Sequence, residues 1–252
     1  MIDFTVQKYR EFLTSLIEDN YEFQTFEEFI SNPKKRSIVL RHDVDLLPAN
    51  SLAFAKIQAN NRVQGTYYFR AVPESWDESI IKEISELGHE IGYHYECLTT
   101  TKGNLELGIK DFATNLEALR ALAPVSTICM HGSPLSKYDS KDLWQTYDYK
   151  EYGIIAEPYF DVDYNQVYYL TDTGRKWDGH KTSVRDRVET NFSKTYHRTS
   201  EIIKTVDAGI FPDQVMFTFH PQRWNDNFIK WSKELILQNA KNVVKKHFYV
   251  NH

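Results

Sequence analysis

Apolar residues at the start of the chain recur at helical spacing. Phe4, Tyr9, Phe12, Leu13, Leu16 and Ile17 share one face and predict an amphipathic helix. A short second helix is expected over 25–30, stopped by Asn32-Pro33. From there short apolar runs alternate with helical stretches. Strands are predicted over 38–40, 65–69, 90–93 and 126–130, and helices over 49–60, 77–87 and 105–122, with Gly88 ending the second of these helices and Pro124 following the third. From about 133 to 200 the rhythm gives way to a Tyr- and Asp-rich stretch of short strands and turns, at 154–157, 160–164 and 167–174. It then returns with a helix over 200–207 capped by Ser200 or Thr199, a strand over 215–219 ending at His220-Pro221, and a final helix over 227–246.

A β-α-β-α order with helical connections predicts a parallel sheet, either open and doubly wound or closed into a barrel. In both, ligands bind beyond the C-terminal ends of the strands. Asp43, Arg70, His94 and His131 each fall at or just past the end of a predicted strand, so four polar residues are expected on one rim. No Gly-, Pro- or Ser-rich linker divides the chain, which reads as a single domain over 1–252 with an N-terminal helical extension over about 1–33.

The densest chemistry lies in Arg41-His42-Asp43-Val44-Asp45, directly after Ile38-Val39-Leu40. Burying that much charge costs several kcal/mol unless a cation, a partner or a reaction offsets it. The plainer alternative is a surface turn in which Asp43 or Asp45 caps the helix after Pro48, which explains one Asp but not two and a His. In Gly88-His89-Glu90-Ile91-Gly92-Tyr93-His94-Tyr95-Glu96, strand alternation puts His94 on the side of Gly92 and Glu90 and turns His89 away. A carboxylate and imidazoles around a divalent cation leave an open position for water, as in catalytic zinc sites. A spare carboxylate could then deprotonate that water, and an imidazole opposite could protonate the leaving group. His220, held by Pro221 at the end of an apolar strand, suits the second task. His131, before Gly132, is a candidate ligand or binding residue. His180, His197, His247 and His252 sit in polar or terminal surroundings and receive no role.

The composition narrows the partners. The 252 residues carry a net charge of −5, which gives no electrostatic reason to expect nucleic acid or an anionic membrane. Cys97 and Cys129 form no CxxC pattern and read as buried thiols of a reducing compartment. With no signal-peptide pattern at the N-terminus and no apolar run long enough to span a bilayer, a cytoplasmic protein is expected. The 16 Tyr and 15 Phe would suit stacking on sugar rings, although a thick barrel core uses them too.

The segments 41–45, 65–69, 88–94 and His220-Pro221, in this order and spacing, resemble the polysaccharide deacetylase superfamily, the NodB-type family 4 carbohydrate esterases. The resemblance runs from Ile38 to Trp224 and is greatest to the WbmS-type branch, with an Arg-His-Asp-Val-Asp first motif, found beside bacterial surface-polysaccharide clusters. It implies an α/β fold, an irregular (β/α)7 barrel, and removal of acetyl groups from sugars with zinc or a similar divalent metal. Carried over by position, Asp43 matches the general base and His220 the catalytic acid, and His94 the first metal His. The family's metal Asp directly follows the base; Val44 stands there, which moves the role to Asp45. Its second metal His comes four residues after the first, where this chain has Leu98. Glu96, Cys97 and His131 are the replacements considered, with His131 favoured. Asp172 and Trp177 correspond loosely to an Asp and an acyl-facing Trp near the acid. Trp224 is a second wall candidate, and Arg70 and Glu96 are expected to bind substrate. The implied substrate is an N-acylated sugar, as a nucleotide- or lipid-linked precursor. Alternatives are an allantoinase-like hydrolase of a non-sugar C–N bond, with Arg41, Arg70 or Arg175 binding an anion, and a catalytically inactive carbohydrate-binding relative.

Overall fold

The computed structural model describes residues 2–133, 136–177 and 188–245. Pro134, His180, Lys246, His247 and His252 lie outside them. The chain opens with α1 (Val6–Glu18), β1 (Glu22–Gln24) and α2 (Phe26–Ser31), then runs β2 (Ser37–Val44), α3 (Pro48–Asn60), β3 (Thr66–Phe69), α4 (Glu78–Glu86), β4 (Glu90–Tyr95), α5 (Cys97–Thr100), α6 (Leu105–Arg120) and β5 (Ile128–Met130). After an irregular stretch come α7 (Pro158–Asp161), β6 (Tyr168–Thr171), α8 (Thr199–Asp207), β7 (Gln214–Phe219) and α9 (Phe228–Lys245).

Among the described residues all strand pairs are parallel, in the order β5-β4-β3-β2-β7-β6, and β1 also pairs with β2. One edge of β2 is shared, with 37–39 against β1 and 41–44 against β3, while β7 takes the other edge. β5 and β7 are four strand spacings apart, roughly 19 Å in a flat sheet. Yet His131, just past β5, and His220, just past β7, both reach Asp45, at 3.5 and 3.8 Å. The sheet is therefore strongly curled, and the expected α/β fold, an irregular barrel, is the one found.

Alternation along β2 sorts its residues. Ile38 and Leu40 pack outward into the cluster that holds Tyr9, Phe12 and Leu16 of α1, whereas Val39 faces the interior with Tyr68, Cys129 and Met216. His42 also faces outward, between the rings of Tyr67 and Phe219 at 4.1 and 5.6 Å, and bonds Thr66 O and Gln58. Arg41, Asp43 and Asp45, on the alternate set, turn toward the site. β2 is buried over its whole length and runs four residues past the predicted apolar core. It is long because Arg41 and Asp43 neutralise each other in the interior.

Several local expectations differ from the structure. β1 was not predicted, because a three-residue strand carries no periodicity. Segment 160–164 is expected as a strand, but α7 occupies 158–161, with Glu157 capping at Tyr159 N and Pro158 in the first turn. The N-cap of α8 is Arg198 rather than Ser200 or Thr199; Glu201 accepts from the backbone N–H of His197 and Arg198, and the Thr199 hydroxyl accepts instead from Trp177 Nε1. Neither Asp43 nor Asp45 caps α3, whose N-cap is Leu47 without a side-chain bond. Gly92 has a packing reason: a Cβ there would come within 2.2 Å of the Tyr68 ring.

Candidate active site

The site is built where the strands end. Asp45 lies one residue past β2 and is surrounded by three imidazoles. Its Oδ1 is 3.7 Å from His94 Nε2 and 3.5 Å from His131 Nε2, and its Oδ2 is 3.8 Å from His220 Nε2. Gln222 Nε2 donates to Oδ2 at 3.2 Å. Oδ1 is buried and receives no hydrogen bond. Burial pushes the Asp45 carboxyl up, but His131, His220 and His94 outweigh it and hold it below the usual range.

Each imidazole is fixed through its other nitrogen. His94 Nδ1 contacts Cys129 O at 2.9 Å, His131 Nδ1 contacts Glu96 Oε2 at 2.9 Å, and His220 Nδ1 contacts Asp172 Oδ1 at 2.6 Å. A bond at Nδ1 leaves the Nε2 lone pair for a cation or a proton. Burial holds His94 well below the ordinary imidazole value, so it is neutral. Burial and Arg223 push His220 down, but Asp172 outweighs both and its pKa is raised.

Asp43 lies beside this group, its Oδ2 3.7 Å from His94 Nε2. Arg41 grips it side-on, Nε to Oδ1 at 2.8 Å and Nη2 to Oδ2 at 2.7 Å, with both side chains buried. Burial works against the Arg41 charge, but Asp43 more than offsets it and keeps the guanidinium protonated. Tyr159 and Tyr68 rings lie 5.4 and 5.9 Å from the Arg41 guanidinium carbon.

The remaining sequence candidates fall behind these residues. Arg70 donates to Glu96 Oε1, Nε at 2.9 Å, and to the Asp45 carbonyl at 3.1 Å. Burial opposes ionisation of Glu96, but His131 and Arg70 pull its pKa down to about 2. Both Glu96 oxygens thus serve protein partners, and the side chain supports His131 rather than His94. Asp172 is fully buried behind His220. Trp177 and Trp224 are 2% and 1% exposed and belong to the aromatic core with Phe4, Phe12, Phe217 and Phe219. The structure therefore places neither on the rim as an acyl-facing wall; Trp224 instead donates its indole N–H to Asp172 at 2.7 Å. Leu98 and Cys97 are packed into the core around α5 and α6.

Asp45, His94 and His131 offer three ligand atoms within 4.8 Å of one another, and no fourth-position ligand is needed for a catalytic site. Asp43, His94 and Cys129 form a second, deeper grouping that shares His94. Sequence reasoning missed the supporting roles of Gln222, Arg223 and Ser133. Arg223 Nη1 donates to Asp172 at 2.9 Å, and Ser133 Oγ lies 3.3 Å from Glu96 Oε2. The only sequence signal for the first two is their place in the 3-10 turn (Pro221–Arg223) after His220.

No family model matches the sequence, and no curated protein matches it. Similar solved structures include a CE4 esterase from Streptococcus mutans, with 14% identity, 88% of this chain and 84% of that chain covered, and a TM-score of 0.46. A family 4 carbohydrate esterase from Bacillus anthracis has 12% identity, coverage of 94% and 87%, and a TM-score of 0.44. PdaA of Bacillus subtilis, also a family 4 carbohydrate esterase, has 13% identity, coverage of 91% and 83%, and a TM-score of 0.40.

Proposed function

We propose that this chain is a metal-dependent hydrolase that removes an acetyl or other small acyl group from an N-acylated sugar. The observation that carries the reading is the convergence of Asp45, His94 and His131 within 4.8 Å, with Asp43 and His220 beside them. The donors fit a divalent cation: Asp45 Oδ1 is a buried acceptor without a hydrogen bond, and both imidazoles are fixed at Nδ1. One carboxylate and two imidazoles suit zinc. When bound there, the cation would polarise the acyl carbonyl and ease the deprotonation of water.

The chain's own residues supply the proton steps. Asp43 accepts the proton of the attacking water, and the Arg41 fork holds its carboxylate in one orientation. His220 gives its Nε2 proton to the leaving nitrogen as the C–N bond breaks, and Asp172 keeps the ring oriented and charged. The order of motifs from 41 to 221 is the ground for a sugar substrate, in the form of a nucleotide- or lipid-linked precursor. A cyclic-amide hydrolase would need a guanidinium free at the site; Arg41 and Arg70 are both engaged by carboxylates of the protein, and Arg175 is buried against the Trp231 ring, with Nη1 donating to Trp231 O.

The test combines metal analysis with deacetylation of a panel of N-acetylated sugars, free and nucleotide-linked. Stoichiometric zinc is expected in the wild type and is lost in Asp45→Ala and His94→Ala. Asp43→Asn retains zinc and loses about 10²–10⁴ in turnover. Turnover that survives complete metal removal overturns the mechanism, and a wild type that takes up no metal supports the inactive relative instead.

A further inference from the structure

Helix α9 is amphipathic the wrong way round for a solvated surface. Its inward side carries Trp231 and the buried Gln238. Trp231 Nε1 donates to Asp3 O at 2.8 Å, Arg175 Nη1 donates to Trp231 O at 2.8 Å, and the Arg175 guanidinium lies 4.6 Å over the indole. The outward side carries Phe228, Ile229, Ile236 and Leu237, which are 66%, 77%, 69% and 46% exposed. An apolar stripe of this length turned to water is the mark of an interaction face.

A second apolar exposure lies at the mouth of the site. Leu46 and Leu47 follow Asp45 directly and are 37% and 55% exposed. Leu47 sits in the left-handed region (φ 55°, ψ 61°), where a Leu costs about 1–2 kcal/mol and Gly or Asn would be ordinary. A short run of bonds and chain links the two exposures. Asn50, in the first turn of α3, donates to Pro221 O at 3.3 Å, and the turn of Pro221 leads through Asn225 into α9. Gln222 of the same turn touches Asp45. Arg175, which anchors α9, lies in the loop leaving β6 at Asp172, at the end of the sheet where the site is built.

Charge selects the partner. The chain has a net charge of −5, but residues 228–245 contain four Lys and one Glu, and Lys230 and Lys233 are exposed beside the apolar stripe. Pairing α9 with a second copy would set lysines against lysines. An anionic surface accepts them, while their stems lie along apolar surface. We propose that the outward face of α9 and the Leu46-Leu47 corner dock on an anionic lipid bilayer, so that the active-site end of the barrel meets the headgroup layer.

The experiment is sedimentation of the full chain with vesicles of phosphatidylcholine alone, or mixed equally with phosphatidylglycerol, without metal or sugar. Its failure is therefore separate from failure of the deacetylase reading. Binding is expected to the mixed vesicles only and is weakened by salt. Ile229→Glu with Ile236→Glu abolishes it, and Lys230→Gln and Lys233→Gln weaken it about fivefold each. All four positions are exposed, so unchanged melting temperatures are expected. If a variant melts early, the lipid and salt dependence of the wild type decides. Equal binding to both vesicles, no binding to either, or a dimer in light scattering that Ile229→Glu dissolves would overturn the proposal.

Discussion

Asp172 shows how one buried carboxylate organises several side chains. It accepts from the backbone N–H of His220 at 3.0 Å, from His220 Nδ1, from Arg223 Nη1 and from Trp224 Nε1. Burial raises its pKa, but His220 and Arg223 hold it below the usual range, so the charge persists. Asp172→Asn removes the charge that keeps His220 protonated and oriented. The expected outcome is a loss of about 10²-fold or more in kcat with zinc stoichiometry unchanged, checked by kinetics and metal analysis on the same preparation. A similar distinction applies at the Leu98 position. Of Glu96, Cys97 and His131, the sequence favours His131 as the replacement, and of the three it is His131 that lies against Asp45, because it follows the strand next to β4 while Glu96 turns back toward Arg70.

The aromatic surplus resolves among the elements that cover β7. α1, α8 and the 172–177 loop meet in a cluster where Trp177 stacks near Phe12 (6.4 Å) and edges onto Phe217 and Phe219 (5.8 and 5.5 Å). Its indole N–H is satisfied by Thr199 of α8. Trp177→Ala should therefore cost about 3–5 kcal/mol in denaturant unfolding, with KM for the sugar little changed in the folded fraction. A larger change in KM than in stability would restore Trp177 to the substrate. Its burial was illegible in the sequence because it lies in an irregular stretch, where no 2- or 3.6-residue period tells inside from outside. α1 and β7, with strong periodicity, were legible.

For the molecule as a whole, the interior carries a titration separate from the site. Glu157 is fully buried, accepts from Met130 N at 3.0 Å and Tyr159 N, and burial pushes its pKa from the ordinary 4.5 up to about 7. The folded chain then holds a proton that the unfolded chain releases. Stability from this group is complete below pH 4.5, falls as pH rises, and is lost by about pH 7. At about 1.4 kcal/mol per unit the span is about 3 kcal/mol. Burial also pushes Glu90 up to about 7, so it adds a decline over the same window. Chemical denaturation from pH 4.5 to 7.5 should show the combined decline, and Glu157→Gln should make it shallower by about 3 kcal/mol without abolishing it. Net charge shows the opposite limit of whole-chain reasoning: −5 argues against an anionic membrane, yet the charge of α9 is positive and local.

The strand and helix rhythm, the parallel sheet and the clustering of Asp43, Asp45, His94, His131 and His220 at strand ends were all readable from the chain, because periodicity and strand termini are local properties. So was the common side of Glu90, Gly92 and His94, since positions two apart on a strand point the same way. Which side chains then meet was not readable. His131 and His220 come to one carboxylate only because the sheet curls through four strand spacings, and that curl is a sum over many pairings. The burial of Trp177, the bond from Glu96 to His131 and the outward apolar face of α9 likewise depend on packing between segments distant in sequence. Local pattern places a residue at an edge; long-range closure chooses its neighbours.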